Sequence, residues 1–295
     1  MSFDPAEHRE ASLENWEAAA SGWSRQQELM RAFAAPVSHW MIDALELQPG
    51  QRVLELAAGL AETGLLAAEL VAPAGNVLIS DQAEAMLAAA RRRAQELGIT
   101  NVDFRVLNAE WIDLPVASVD AVLCRWGYML MADPTAALAE TRRVLGSGGR
   151  VALAVWDAIE HNPWAALPGR VLVERGVLPP PSPRDPARAG GAFAGGAPGP
   201  FALGSAERLA ALLEDAGFAE IRIEALELSR RQGSFDELWE STLDISPSFH
   251  DAVLSRPAAE IDQIKAAVGE RFAPYTAADG SVEVPGRTLV ASASA

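Results

Sequence analysis

Short apolar runs alternate with longer segments of helical period between residues 51 and 156. Val, Leu and Ile dominate each run, as they do in strands that are buried on one or both faces of a sheet. Five such runs are found at 51–57, 75–80, 102–107, 119–124 and 150–156. Because strands that alternate with helices are typical of βαβ units, the pattern predicts a parallel sheet in this part of the chain.

Two of the intervening segments carry clear helix signals. The segment 83–97 places its apolar residues at the spacing of one helix face. That stripe consists of Met86, Ala90, Ala94 and Leu97. Asp133 and Pro134 are typical of the start of a helix, and a cluster of glycines between 146 and 149 is typical of its end.

The flanking segments differ from this alternating region. Residues 12–47 predict two helices, which could seal a pocket or form a homodimer interface, and the proline- and glycine-rich residues 157–201 predict an irregular lid or linker. Further along, the pattern predicts a helix at 205–217, a strand at 220–228, helices at 234–245 and 257–273, and a strand at 288–291. The chain is thus divided into a helical lid (1–48), a core (49–156), a lid or linker (157–204) and a C-terminal completion of the sheet with inserted helices (205–295).

Net charge and cysteine content narrow the classes of function. The 295 residues include 24 Lys plus Arg and 40 Asp plus Glu, a formal charge of −16. This charge disfavours nucleic acid and anionic lipid as partners and favours a neutral or cationic small molecule. The single cysteine, Cys124, excludes an intramolecular disulfide, and the four scattered histidines lack the spacing of metal ligands. Since neither a secretory signal nor a membrane span is recognisable, we expect a cytoplasmic protein.

The segment 53–64, VLELAAGLAETG, is the most informative part of the sequence. A strand leads through small residues into a helix, which lets a ligand approach the backbone near the positive helix N-terminus. Glu55 lies within this strand, and Asp81 ends the next one, where its carboxylate could accept hydrogen bonds from a ribose diol. Together they predict a nucleoside site at the carboxyl edge of the sheet. The structural alternative is tight packing without a ligand, with Asp81 as a helix cap.

Residues 50–156 resemble the class I S-adenosylmethionine-dependent methyltransferases, in particular the small-molecule branch that is similar to the enzymes of ubiquinone and menaquinone biosynthesis. The matching segments are VLELAAGLAETG (53–64), VLISDQAEAM (77–86), VLNAEWIDLP (106–115), VDAVLCRWGYMLMADP (119–134) and RRVLGSGGRVALAVW (142–156). The resemblance implies a doubly wound, mostly parallel α/β sheet of seven strands, with a helical N-terminal lid and inserted helices. It also implies S-adenosylmethionine as the cofactor of the core.

The resemblance further implies roles for individual residues. Glu55 would order the first loop and the methionine end of the cofactor, and Asp81 would hold the ribose hydroxyls. Ala57, Gly59 and Ala61 would leave room for the cofactor, although the two alanines replace glycines of the family's loop. The residues that would border the adenosine and the methionine tail are Gln82, Met86, Asn108, Ala109, Glu110, Trp111, Arg125 and Trp126. Among them, Trp111 could cover the adenine.

Methyl transfer from a sulfonium is an in-line displacement, so alignment and exclusion of water supply much of the rate enhancement. A general base is needed only for an acceptor such as a phenol, an alcohol or a carbon acid. The candidate bases are His161, which follows the fifth strand, and then His39, Tyr128 and Tyr275. For His161 the structural alternative is a surface histidine.

The sequence thus predicts an enzyme that transfers a methyl group to O, N or C of a small organic acceptor, for example in secondary metabolism, with S-adenosylhomocysteine as product. Two alternatives stay open. Residues 59–64 match GxGxxG with alanine at the middle glycine, which is also compatible with an NAD-dependent oxidoreductase. A regulatory protein that binds the cofactor without turnover would carry the same motifs.

Overall fold

Seven strands form one sheet in the computed structural model, which describes residues 3–179 and 198–295. The strands are β1 (Arg52–Glu55), β2 (Asn76–Asp81), β3 (Val102–Val106), β4 (Val119–Arg125), β5 (Leu145–Trp156), β6 (Ala219–Gln232) and β7 (Val282–Ser294). Their order is β3-β2-β1-β4-β5-β7-β6. The first five strands run parallel, whereas β7 is antiparallel to both of its neighbours. The predicted doubly wound, mostly parallel α/β fold is therefore confirmed.

The helices fall into those that pack on the sheet and those that build a second, smaller core. Their bounds are α1 (Pro5–Arg25), α2 (Gln27–Leu45), α3 (Glu62–Val71), α4 (Glu84–Leu97), α5 (Pro134–Val144), α6 (Pro163–Glu174), α7 (Ala206–Asp215), α8 (Phe235–Ile245), α9 (Pro247–Leu254) and α10 (Ala258–Phe272). Helices α2 to α5 and α7 contact strands of the sheet. The second core joins α6, α8, α9 and α10 to the first residues of β7.

The position of β1 creates the crevice that the sequence pattern predicts. β1 is paired with β2 on one side and with β4 on the other, and its central residues Val53 and Leu54 are fully buried. The chain therefore leaves the carboxyl ends of β1 and β4 in opposite directions. In doubly wound sheets, ligands bind in the crevice that opens at this point.

The structure corrects the prediction that residues 157–201 are irregular. Helix α6 begins at Pro163, the first-turn position that proline favours, and buries Val171 and Leu172 in the second core. A second proline, Pro168, lies inside this helix and hides its period in the sequence. The part of the predicted lid or linker at 180–197 lies outside the described residues.

The last two strands are longer than their predicted counterparts at 220–228 and 288–291. β6 and β7 pair from Ala219 to Gln232 and from Val282 to Ser294, so this antiparallel pair extends well beyond the edge of the parallel sheet. Pro285 and Gly286 interrupt the apolar alternation of β7, which explains why the sequence pattern misses its first half. The extension brings the end of β6 above the carboxyl ends of the parallel strands.

Helix α1 crosses the top of the molecule and bridges the core to the C-terminal helices. It contacts α4 in the core and α8 and α9 in the C-terminal part. Trp23 Nε1 donates a hydrogen bond to the carbonyl of Ile245 (3.1 Å), and Arg25 forms an ion pair with Asp244. Within the two described ranges, no helix has the length and apolarity needed to cross a membrane.

Gly22 allows this close approach of α1 to α8, which leads to a prediction. A Cβ at Gly22 would lie 2.3 Å from the carbonyl oxygen of Asp244, so a Gly22→Ala variant must shift the two helices apart. Overpacking of this kind costs about 1–3 kcal/mol, more than the roughly 1 kcal/mol that alanine adds in helix propensity. We expect the melting temperature to fall by a few degrees in thermal unfolding.

The matched control for this prediction is Ser21→Ala. Ser21 precedes Gly22 on the same helix and is exposed, so its variant should melt at or slightly above the wild-type temperature. An unchanged melting temperature for Gly22→Ala would contradict the tight docking of α1 on α8.

Candidate functional site

A cavity of about 410 Å³ lies at the carboxyl ends of β1 to β5, beneath α1. Its size is within the range of small-molecule sites in proteins. Most of the predicted cofactor residues lie on its wall: Ala57, Gly59, Asp81, Gln82, Met86, Asn108, Ala109, Glu110, Arg125 and Trp126. The structure therefore brings together residues from four strand ends that are up to 69 positions apart in the sequence.

The loop after β1 has a left-handed backbone at every second residue. Ala57, Gly59 and Ala61 have φ angles of 50°, 55° and 61°. This conformation costs roughly 1–2 kcal/mol for each alanine, and such strain is concentrated at functional sites. Ala57 and Gly59 line the cavity, whereas Ala61 is fully buried as the residue that precedes α3. The loop thus exposes its backbone to the cavity with little side-chain bulk.

Asp81 ends β2 with its carboxylate at the cavity wall. One oxygen accepts a hydrogen bond from Gly59 N and the other from Ala83 N, both at 2.9 Å. The residue is 7% exposed, and burial raises the pKa of the carboxyl group, partly offset by these backbone donors. The carboxylate therefore caps the turn before α4, as the structural alternative proposed, and at the same time faces the cavity.

Glu55 lies beneath the loop rather than on the cavity wall. Its Oε1 accepts a hydrogen bond from Gly64 N (2.9 Å), so the side chain ties β1 to the first turn of α3. Oε2 is buried and has no hydrogen-bond partner in the described part of the chain. Burial raises the pKa of Glu55 to about 8, against the opposing effect of the nearby Arg125. The predicted ordering of the loop thus has a direct structural basis.

Arg125 and Trp126 follow each other at the end of β4. Arg125 Nη1 donates to Ser38 Oγ (3.3 Å), and its guanidinium lies 5.1 Å from the centre of the Trp126 ring. Burial lowers the pKa of Arg125, and the nearby Glu55 opposes this shift. Trp126 has a φ of 59°, a rare conformation for an aromatic residue. Its Nε1 donates to Thr288 Oγ1 (3.0 Å), which fixes the ring.

Stacked aromatic rings extend the cavity away from the loop after β1. The Trp126 and Trp156 rings are stacked, with centroids 4.4 Å apart and planes at 12°. Phe33 lies 6.0 Å from Trp156 on one side, and Trp164 lies 4.9 Å from it on the other. All four residues line the cavity. This aromatic wall is suited to a flat apolar ligand.

The loop after β3 is held by α1. Glu110 is buried, accepts a hydrogen bond from Ala132 N (2.9 Å) and forms an ion pair with Arg9 (2.5 Å). Trp111 does not line the cavity, which corrects the prediction that it covers the adenine. Its side chain is 56% exposed, and the guanidinium of Arg9 lies 5.2 Å from its ring. Arg9 of α1 thus contacts both Glu110 and Trp111.

Further polar contacts fasten α1 over the cavity. His8 Nε2 donates to the carbonyl of Leu130 (2.9 Å), and Ser12 Oγ accepts from Gln82 Nε2 (3.0 Å). Glu17 accepts hydrogen bonds from the backbone at the start of α4, including Glu84 N (2.7 Å). Helix α1 therefore covers the same edge of the sheet as the predicted cofactor residues.

The candidate general bases lie away from the cavity, which corrects their assignment. Tyr128 is fully buried, its hydroxyl is hydrogen-bonded to Thr141 Oγ1 (2.7 Å), and burial raises its pKa well above the usual value. His161 lies next to Asp157 and Arg287 at the surface. His39 is exposed on α2, and Tyr275 packs on the second core. The sequence does not reveal these orientations, because each depends on contacts with distant elements.

Several wall residues were not predicted from the sequence. They are the aromatic residues Phe33, Trp156 and Trp164 and the basic residues His8, Arg9 and Arg230. The aromatic residues carried a signal, since Trp156 ends a predicted strand at the same edge as Asp81. The others come from α1 and from the extended half of β6, whose positions depend on the tertiary fold.

Comparison with known proteins agrees with this geometry. Residues 53–149 match the family profile described as a methyltransferase domain, which confirms the resemblance stated above. Aklanonic acid methyltransferase DauC of Streptomyces sp. strain C5 is 33% identical over 120 residues, 41% of this chain and 54% of that protein. The ubiquinone/menaquinone biosynthesis C-methyltransferase UbiE of Pasteurella multocida is 33% identical over 111 residues, 37% of this chain and 41% of that protein. The alignments thus span about half the length of these relatives.

Solved structures share the fold over most of the chain. YcgJ from Bacillus subtilis superposes with a TM-score of 0.56 at 19% identity, covering 87% of this chain and 97% of that one. Phosphoethanolamine N-methyltransferase 2 of Haemonchus contortus, in complex with S-adenosyl-L-methionine, gives a TM-score of 0.52 at 16% identity, covering 88% of this chain and 52% of that one. At these identities the similarity concerns the fold alone.

Proposed function

We propose that this protein is a methyltransferase that uses S-adenosylmethionine to methylate a small organic molecule and releases S-adenosylhomocysteine. The observation that carries the proposal is the convergence on one cavity of the strained loop after β1, the Asp81 carboxylate and the Arg125–Trp126 pair. The match of residues 53–149 to a methyltransferase domain supports the same conclusion. It also favours methyl transfer over the NAD-dependent alternative.

The wall residues are suited to three parts of the cofactor, which are the ribose, the adenine and the methionine tail. Asp81 would accept hydrogen bonds from the ribose hydroxyls, and Asn108 and Ala109 would border the adenine. Arg125 lies on the wall and the carboxyl group of Glu55 lies close behind it, so both polar groups are near the proposed place of the methionine tail. The unpartnered Oε2 of Glu55 and the open backbone of the loop are features that a polar ligand would complete.

When bound, the cofactor supplies an activated methyl group. The contribution of the chain is to orient the acceptor and to exclude water. Trp126, Trp156 and Trp164 provide a rigid apolar surface against which a ring can be held, and α1 closes the cavity from above. Alignment of this kind accounts for up to about 7–11 kcal/mol of barrier lowering in well-oriented reactions.

The printed names of the relatives support a small-molecule acceptor, because DauC is named for aklanonic acid and UbiE for ubiquinone and menaquinone biosynthesis. We carry over this class of acceptor and not the particular compounds. The cytoplasmic location, the homodimer, the exclusion of nucleic acid and membranes, and a place in secondary metabolism stay predictions.

Calorimetry with S-adenosylhomocysteine and with NADH tests the proposal. We expect S-adenosylhomocysteine to bind and NADH to give no heat, and a labelled methyl group to move from S-adenosylmethionine to an acceptor from a small-molecule panel. Binding of NADH without a response to S-adenosylhomocysteine would favour the oxidoreductase. Tight cofactor binding without transfer to any acceptor would favour the regulatory protein.

The contact between α1 and the loop after β3 gives a kinetic prediction. An Arg9→Gln variant loses the ion pair with Glu110, which is worth about 1 kcal/mol for a partly exposed pair. Since α1 covers the cavity, we expect S-adenosylhomocysteine to dissociate about fivefold faster in stopped-flow measurements. Arg31→Gln, which breaks an exposed pair with Glu28, is the control and should leave the rate unchanged. Equal rates in both variants would mean that α1 does not gate release.

A further inference from the structure

Arg230 is a buried arginine on the cavity wall. Side chains at this end of β6 alternate between solvent and interior, so Ser229 and Arg231 are exposed whereas Arg230 is 4% exposed. Arg230 lines the cavity together with Ile245 and Ser246, which lie where α8 leads into α9. The extended half of β6 therefore places a cation in the wall of the cavity.

In the described part of the chain, the guanidinium of Arg230 donates a hydrogen bond to one uncharged side chain. Its Nη2 donates to Ser241 Oγ, a neutral hydroxyl that also accepts a hydrogen bond from Gln232 Nε2 (2.8 Å). Nε is buried and has no hydrogen-bond partner, and among the described residues no carboxylate lies within ion-pair distance of the side chain. Burial lowers the pKa of Arg230 to about 10, so the group remains charged at neutral pH.

The other charges of the wall do not compensate Arg230, because each already has its own partners. Glu110 is paired with Arg9, and the Asp81 carboxylate accepts two backbone hydrogen bonds. Another arginine of the wall, Arg125, donates a hydrogen bond to Ser38 Oγ, lies against the Trp126 ring and has the carboxyl group of Glu55 nearby. Buried charges in proteins are normally paired, so a buried guanidinium that faces a ligand cavity and has no carboxylate partner in the described part of the chain indicates a partner supplied by the ligand.

Building on the proposed methyltransferase function, we propose that the acceptor is an aromatic carboxylic acid whose carboxylate binds to Arg230. A guanidinium offers two parallel N–H donors, the geometry that matches a carboxylate. The Trp126–Trp156 stack provides the surface for the ring. The net charge of −16 predicts a neutral or cationic acceptor from the sequence alone. Arg230 is a cation in the cavity itself, so in our proposal it determines the charge of the acceptor instead.

Paired ligands test the proposal in the protein saturated with S-adenosylhomocysteine. The probes are benzoate, 2-naphthoate and anthraquinone-2-carboxylate, each compared with its primary amide by calorimetry. We expect at least one carboxylate to bind about tenfold or more tightly than its amide, as charge-assisted hydrogen bonds require. Failure of every carboxylate to bind, or equal affinity for acid and amide, would overturn the proposal.

Two variants test whether Arg230 causes the preference for the carboxylate over the amide. Arg230→Gln should weaken binding of the carboxylate about tenfold or more and change that of the amide less than about threefold. Arg231→Gln is the matched control: it removes the adjacent arginine, which is exposed and 4.0 Å from Asp279, and should keep the preference. A preference that survives in Arg230→Gln would assign it to another residue and overturn the proposal.

Thermal unfolding separates this role from a structural one. If Arg230 serves a ligand, Arg230→Met removes an unpaired buried charge and should melt at or above the wild-type temperature. Addition of the best carboxylate should raise the melting temperature of the wild type but not that of the variant. A large loss of stability in Arg230→Met would show that the arginine supports the fold, and would overturn the proposal.

The role of Arg230 in binding the acceptor and the binding of the cofactor are tested by separate measurements. Normal S-adenosylhomocysteine binding without any preference for the acid contradicts the role of Arg230 alone. Loss of S-adenosylhomocysteine binding in the wild-type protein contradicts the methyltransferase function itself.

Discussion

An Asp81→Ala variant is expected to bind S-adenosylhomocysteine about 10- to 100-fold more weakly than the wild type, because hydrogen bonds to a charged group contribute about 1.5–3 kcal/mol. The carboxylate would hold the ribose hydroxyls, and it also accepts hydrogen bonds from Gly59 N and Ala83 N that shape the wall. The variant therefore loses both a ligand contact and part of the preformed site. Isothermal titration calorimetry at neutral pH measures the effect.

Two further variants serve as comparisons for the affinity of Asp81→Ala. Glu96→Ala removes an exposed carboxylate from the same helix that follows Asp81 and should leave the affinity unchanged. Asp81→Asn keeps one acceptor oxygen and should lose less affinity than alanine. Since an NAD site would use the same carboxylate for a ribose, the variant tests the position of the sugar and not the identity of the cofactor. Unchanged affinity in Asp81→Ala would contradict the assigned ribose contact.

A Glu55→Gln variant is expected to flatten the dependence of stability on pH. The pKa of Glu55 is about 8 in the folded protein against an ordinary value of 4.5, so the folded state holds a proton that the unfolded chain releases. Its contribution to stability is fully present below pH 4.5, decreases as the pH rises, and is lost above pH 8. The difference in the free energy of unfolding corresponds to on the order of 5 kcal/mol.

Melting temperatures at pH 5, 7 and 9 provide the measurement. Glutamine retains the oxygen that accepts a hydrogen bond from Gly64 N and cannot ionise. The stability of the variant relative to the wild type should therefore increase from pH 5 to pH 9. Because other groups titrate in both proteins, the difference between the two curves is the relevant quantity. Parallel curves would mean that Glu55 is ionised in the folded protein.

Local sequence signals were sufficient to predict the strands of the parallel half of the sheet. Predicted strands such as 75–80 and 119–124 appear as β2 and β4 within one residue. Buried parallel strands are short and almost wholly apolar, and the polar residue that ends them is adjacent in sequence. For this reason the position of Asp81 at the edge of the sheet could be predicted without knowledge of any distant contact.

The antiparallel half shows where such signals fail. Proline and glycine hide the first half of β7 and the interior of α6, although both segments are stabilised by burial in the second core. Tertiary packing supplies the free energy that local propensity lacks at these positions. The same packing directs His161 and Tyr128 away from the cavity, so their chemical type alone was misleading as a guide to catalysis.

The amino-acid sequence alone was enough to predict the βαβ core, the loop after β1 and the carboxylate that ends β2, because all three depend on residues that are near one another in the chain. The fold was needed to bring α1 over the cavity, to assemble Phe33, Trp156 and Trp164 into one wall, and to bury Arg230 with no carboxylate partner among the described residues. These features join segments as far apart in the chain as Phe33 and Trp156, or His8 and Leu130. Charge composition is an average over the whole surface, whereas binding depends on the few groups that the fold brings to one place.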